Sequence, residues 1–289
     1  MTYFADSELI LNADGSIFHL HLFPDQIADT ILLVGDPGRV ETISSRLTDI
    51  ECLVSNREFV TVTGRYKGKR LSVVSTGIGA DNIDIVINEL DALANIDLTT
   101  RTEKPVKKSL QLIRIGTCGG LQPELTPGSY LVSEKSIGLD SVLFYYANRT
   151  QICDLELEQA FMKHLQWPTD STRPYAVTAH PELIEQIGGN DMKRGITITA
   201  NGFYGPQGRA LRIPLARPEL NGLLETFEFK HLRITNYEME SSAVAGLGAL
   251  LGHKAMTVCL VIANRLVKNV RVDYKKSMEM LIDTVLERL

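Results

Sequence analysis

Leu110-Gln111-Leu112-Ile113-Arg114-Ile115-Gly116-Thr117-Cys118-Gly119-Gly120 joins an apolar run to a glycine-rich end, with one arginine at the junction. The near-continuous apolar character of 110–115 predicts a buried parallel strand covered on both faces. The glycines predict that the strand gives way to a loop and that the chain turns at Gly119. Ligands of open α/β sheets bind beyond the carboxyl ends of strands. An arginine there, with a hydroxyl three residues on, therefore reads as an anion and sugar site. Arg114 as a buried ion-pair partner beside a plain glycine turn is the competing reading of this stretch alone.

Working outward, a second apolar run at 30–34 stops at Gly35-Asp36-Pro37-Gly38-Arg39, and a helix is expected from Val40 to Leu47. Backbone amides at such a helix start favour an anion, and Arg39 adds a full charge. The Lys-Ser/Thr ending of a Walker loop is absent. A hairpin is expected over 51–75, with Arg57-Glu58 opening its second strand. Thr76-Gly77-Ile78-Gly79 begins like a dinucleotide fingerprint, but the third glycine is missing and Asn82 stands there. Close packing of strand on helix explains these glycines better than NAD binding.

Residues 98–109 read as a surface loop, 130–132 and 136–139 as short strands, and 155–165 as a helix. A strand at 195–200 leads into Asn201-Gly202-Phe203-Tyr204-Gly205-Pro206-Gln207-Gly208-Arg209. This loop gathers a flat apolar face, an amide and a guanidinium, a set suited to a planar ring edged with carbonyls and an imide. The strand 233–237 runs into Glu238-Met239-Glu240, whose carboxylates are expected to point opposite ways, one toward hydroxyls and one structural. A small-residue helix at 243–251, a last strand at 255–263 and an amphipathic helix at 274–289 complete the chain. His19 and His21 share one face of an extended segment, but no further ligand set supports a metal between them.

The formal charge of −5 argues against nucleic acid or an anionic membrane as partner. No secretory leader or membrane span is read, and four scattered cysteines fit free thiols in the cytoplasm.

Each of these sites is weak alone, but their order is informative. Phe18-His19-Leu20, Gly35-Asp36-Pro37-Gly38-Arg39-Val40, Asn56-Arg57-Glu58-Phe59, Arg114-Ile115-Gly116-Thr117, Phe203 with Gln207 and Arg209, Tyr237-Glu238-Met239-Glu240-Ser241 and Asn264-Arg265 together resemble the uridine branch of the nucleoside phosphorylase family. The resemblance runs from about Ser16 to the last helix. It implies a single three-layer α/β/α domain over residues 1–289 with a central mixed β-sheet, and phosphorolysis of uridine to uracil and ribose 1-phosphate.

Carried over by position, the resemblance implies that Gly35, Arg39, Arg57, Arg114 and Thr117 hold phosphate. His19, Met239 and Glu240 hold ribose, and Cys118, Gly119, Phe203, Gln207, Arg209 and Arg265 frame the base. Catalytic work falls to Arg114, Gln207, Arg209 and Glu240. His19 and Arg57 are expected from a neighbouring subunit, which makes a homodimer the least functional unit and a hexamer of dimers the implied assembly. Phosphate is a co-substrate, no cofactor or catalytic metal is implied, and a monovalent cation beside Glu58 and Ile78 is put in question by Asn82. Cys118 replaces a usual Thr or Ser, Gly205-Pro206 reverses the order common in bacterial relatives, and no Asp near Asn264 offers the proton a purine needs. A hydrolytic nucleosidase, a nucleotide-dependent oxidoreductase and a non-catalytic nucleoside binder stand as alternatives.

Overall fold

In the computed structural model, which describes residues 2–266, 269–270 and 273–289, the run that opens the sequence reading is a central strand. The strands are β1 (Thr30–Val34), β2 (Thr48–Asn56), β3 (Phe59–Tyr66), β4 (Lys69–Ser75), β5 (Ile96–Asp97), β6 (Thr102–Glu103) and β7 (Gln111–Gly120). They continue with β8 (Tyr130–Gly138), β9 (Tyr175–Thr178), β10 (Met192–Thr199), β11 (Glu228–Phe229), β12 (Leu232–Glu238), β13 (Lys254–Asn264) and β14 (Asn269–Val270). The helices are α1 (Pro37–Ser44), α2 (Ala80–Asn95), α3 (Leu155–His164), α4 (Pro181–Ile187), α5 (Leu220–Glu225), α6 (Ser241–Leu250) and α7 (Lys275–Glu287).

The main sheet is mixed, in the order β11-β12-β10-β8-β13-β7-β1-β4-β3-β2. Strands β4, β1, β7 and β13 are mutually parallel, so their carboxyl ends open on one side. Alternation along the strands assigns the two faces. Ile31, Leu33 and Leu112 pack under α2 and α6, whereas Leu32, Val34, Ile113 and Ile115 pack against α1, α4 and α7. This is the expected α/β/α layering. Helix α6 lies close to the sheet because its glycines are small: a Cβ on Gly248 would stand 2.7 Å from Ala255 Cβ.

Several local expectations are corrected. Strand β7 does not end at its glycines but runs through to Gly120, with Gly119 and Gly120 paired to both β13 and β12. Lacking side chains, they let neighbours close in: a Cβ on Gly120 would lie 3.0 Å from Leu125 O. The contact of Tyr237 with Gly119 and Asn236 with Gly120 closes β7, β13, β8, β10 and β12 into a circuit. The two segments at 130–139 form one strand, and the loop at 98–109 contains β6, paired with β5. Helix α1 starts at Pro37, where proline fits the first turn, with Asp36 accepting from Gly38 N at 2.9 Å as its cap. Among the described residues no helix is long and apolar enough to cross a membrane.

Candidate active site

A cavity of about 1380 Å³ lies at the carboxyl ends of β1, β7, β12 and β13. Gly35, Arg39, Arg114, Thr117, Cys118, Gly119, Phe203, Gln207, Arg209, Met239, Glu240 and Arg265 all line it. The sequence reading placed these residues on five separate segments, and the topology brings them together.

Arg114 anchors the floor. Its guanidinium is buried, donates through Nη2 to Glu240 Oε2, and holds Nη1 3.3 Å from Glu238 Oε2. Burial opposes the charge, but Glu240 and then Glu238 outweigh it, so the pKa lies above that of an ordinary arginine. Among the described residues, Nε and Nη1 donate no hydrogen bond, and Nη1 meets Glu238 as an ion pair alone. Gly116 is the local device that makes the geometry possible: a Cβ there would stand 2.1 Å from Arg114 Nη1.

Arg39 approaches from the first turn of α1, with Nη1 donating to Ile115 O at 3.1 Å. Burial, and then the like charge of Arg114, lowers its pKa. Two guanidiniums that disfavour each other's charge gain from any anion placed between them.

The expectation that the two carboxylates diverge is corrected. Strand β12 ends at Glu238 and α6 begins after Glu240, so the alternation of an extended chain no longer applies, and both reach Arg114. Their partners divide the labour. Glu238 accepts from Glu240 N and Ser241 N at 2.8 Å each, from Ser241 Oγ at 2.8 Å and from Thr199 Oγ1 at 2.7 Å. Glu240 accepts from Gly79 N at 2.8 Å. The Gly77-Ile78-Gly79 turn, which resembled a dinucleotide loop, therefore supports Glu240. Gly77 and Gly79 have φ of 69° and 102°, conformations that glycine adopts without strain. Burial raises the Glu240 pKa, Arg114 pulls it back, and Glu238 adds to the rise.

The opposite wall is the 203–211 loop. Arg209 stacks 3.8 Å above the Phe203 ring and donates to Phe203 O at 2.5 Å and Gln207 Oε1 at 2.6 Å. Burial, and then Arg265, lowers the Arg209 pKa to about 10. Arg265 Nη2 donates to Gly208 O at 3.2 Å, tying the end of β13 to this loop. Gly205-Pro206 leaves Gln207 and Arg209 together; Pro206 packs over Gly202, whose Cβ would lie 2.8 Å from Pro206 Cγ. Burial pushes the Cys118 thiol well above its usual pKa, so at neutral pH it is a weak neutral donor. Asn264 donates to Gln122 O at 2.8 Å and Leu125 O at 2.9 Å, a structural use of its side chain.

His19 and Arg57 do not line this cavity. His19 lines a second one, of about 740 Å³, and Arg57 is exposed at the tip between β2 and β3 with φ of 54°. Glu58 and Asn82 do line the large cavity, with Asn82 Nδ2 donating to Glu58 Oε1 at 3.3 Å. That amide takes up part of the Glu58 carboxylate. Among the described residues no cluster of three or more His, Cys, Asp or Glu is gathered for a metal. All four cysteines are free.

Sequence reasoning missed Asn221 altogether. It accepts from Tyr237 OH at 3.1 Å and sits against Gly208, behind the base loop. No motif marks it, because its relation to the loop exists only after α5 has packed.

Comparison with known proteins places these observations in context. A family model described as the phosphorylase superfamily matches residues 29–287. The chain is 30% identical over 270 residues to a uridine phosphorylase of Thermococcus kodakarensis, covering 91% of this chain and 82% of that protein. It is 29% identical over 262 residues to the uridine phosphorylase of Escherichia coli, covering 87% of each. The crystal structure of a Trypanosoma brucei nucleoside phosphorylase, described as showing uridine phosphorylase activity, superposes with a TM-score of 0.89 at 30% identity, covering 97% of this chain and 99% of that one.

Proposed function

This chain belongs to the phosphorylase superfamily, and from that premise we propose that it is a uridine phosphorylase, cleaving uridine with inorganic phosphate to uracil and ribose 1-phosphate. The observation that carries the reading is one cavity with buried Arg39 and Arg114 on one side and the paired Gln207 and Arg209 on the other. A phosphate oxygen forms the new bond to the anomeric carbon while the glycosidic C–N bond breaks, its electron pair leaving with uracil. Positive charge develops on the sugar and negative charge on the base. Phosphate held by the arginines stabilises the first, and Gln207 and Arg209 stabilise the second. Glu240 accepts from ribose hydroxyls, and Met239 packs on the sugar. Charge-assisted contacts of about 1.5–3 kcal/mol each are enough to orient a dianion for attack.

Electrostatics favour a second subunit. Within one chain Arg39 and Arg114 are matched by Glu238 and Glu240, so a phosphate dianion calls for further positive charge. Arg57, outside its own cavity, supplies it in a homodimer, with His19 meeting the sugar alongside. The larger assembly of this reading is a hexamer of such dimers, and the compartment is the cytoplasm, where free thiols persist.

The test is uracil release from uridine by the purified protein with and without phosphate, with inosine as control. Release that needs phosphate and spares inosine supports the reading. Release without phosphate means a nucleosidase, and none from folded protein means a binding role.

A further inference from the structure

Glu89 of α2 is not part of the large cavity, and nothing in the motifs singles it out, yet its carboxylate is saturated by one short turn of chain. Oε1 accepts from His19 N at 2.9 Å and lies 2.7 Å from His19 Nδ1, while Oε2 accepts from Leu20 N at 2.8 Å and His19 N at 3.1 Å. We infer that Glu89 is a positioning residue that fixes both the orientation and the tautomer of His19, so that Nε2 is presented as a hydrogen-bond acceptor for the sugar 5-hydroxyl in the neighbouring subunit's site. This rests on the proposed function and goes beyond it in naming the group through which His19 acts.

The chemistry is restrictive. An ionised carboxylate only accepts, so the 2.7 Å contact requires the proton on Nδ1. In neutral imidazole the lone pair then belongs to Nε2, which among the described residues has no partner. Phe18 and Phe59 flank the ring at near-perpendicular angles of 78° and 79°, with centroids at 4.7 and 6.3 Å. Asn56 Nδ2 donates to His19 O at 2.8 Å, and the adjacent Arg57 lies with its guanidinium 5.7 Å from the Phe18 ring. The turn bearing His19 and the hairpin tip bearing Arg57 are thus held as one block, and Glu89 is its anchor to α2.

The experiment compares uridine with 5′-deoxyuridine, which lacks the hydroxyl, in the wild-type protein, Glu89→Ala, Glu89→Gln and His19→Ala. Wild type is expected to favour uridine by about three- to tenfold in kcat/KM, the net worth of one hydrogen bond. Glu89→Ala erases that preference by lowering kcat/KM more on uridine than on 5′-deoxyuridine, and His19→Ala, which removes the sugar contact itself, sets the value for its complete loss. Glu89→Gln, which keeps an acceptor oxygen for Nδ1, retains part of it. Equal losses on both substrates, or no loss on either, overturn the inference. Long-range ¹H–¹⁵N spectra of the histidines give a readout independent of turnover. The His19 ring is expected as the Nδ1–H form in the wild type and as the Nε2–H form in Glu89→Ala, and an Nε2–H ring in the wild type overturns the inference. Failure of the wild type to cleave uridine would refute the proposed function, and the spectra would still decide the role of Glu89.

Discussion

Gly116→Ala adds a single methyl at the centre of the cavity floor, and its consequence can be worked from distances. The new Cβ would lie 2.1 Å from Arg114 Nη1, 2.9 Å from Cζ and 3.2 Å from Nη2. To restore ordinary contact the guanidinium must retreat by roughly 1.3 Å, and a displacement of about 1 Å at a reacting site costs about 10²-fold. The retreat also disturbs the bonds that tie Arg114 to Glu240 and Glu238, so phosphate and ribose lose alignment together. The expected loss in kcat/KM is therefore about 100-fold, equivalent to about 2.7 kcal/mol. Overpacking of about 1–3 kcal/mol should also lower the unfolding midpoint. Phosphate-dependent uracil release measures the first effect and thermal unfolding the second. Gly222→Ala is the control, since a Cβ there meets nothing within 4 Å and lies in α5. It should leave activity unchanged and stability equal or slightly higher. A folded Gly116→Ala protein with wild-type kcat/KM and an unchanged KM for phosphate would refute the claim that the position of Arg114 governs the reaction.

Two further outcomes follow from the walls of the cavity. Arg209→Ala removes a charged donor that is stacked on Phe203 and bonded to Gln207, so kcat should fall by about 10- to 10²-fold with the KM for phosphate little changed; a change confined to that KM would move Arg209 to the phosphate side. Because burial raises the Glu240 pKa above the ordinary 4.5, protonation removes its acceptor role at a pH higher than for a free glutamate. The acidic limb of kcat/KM should accordingly lie above pH 4.5 and vanish from the residual activity of Glu240→Gln, and an identical limb in that variant would assign it to another group.

The local chemistry was legible from the chain. Apolar runs ending in glycine turns at Gly35 and Gly77 fixed where strands give way to helices, since period, length and punctuation are short-range properties. The glycines of β7 misled for a physical reason. A glycine pair reads as a turn when only its backbone freedom is considered, but here its missing side chains admit β12 and the loop at Leu125. Glu238 and Glu240 misled in a related way, because alternation holds only while the strand lasts, and β12 ends between them.

By itself the sequence determined the set of chemical groups, namely which strand ends carry arginine, hydroxyl, carboxylate and amide, because each is written within a few residues of its own turn. Only the tertiary structure decided which groups share a cavity. The closure of β12 onto β7 faces Glu238 and Glu240 toward Arg114. The packing of α2 turns Glu89 to His19 and leaves both His19 and Arg57 outside the cavity of their own chain. These are contacts between residues from tens to more than a hundred positions apart, and no local pattern encodes them; the fold creates them when distant strand ends are brought to one edge.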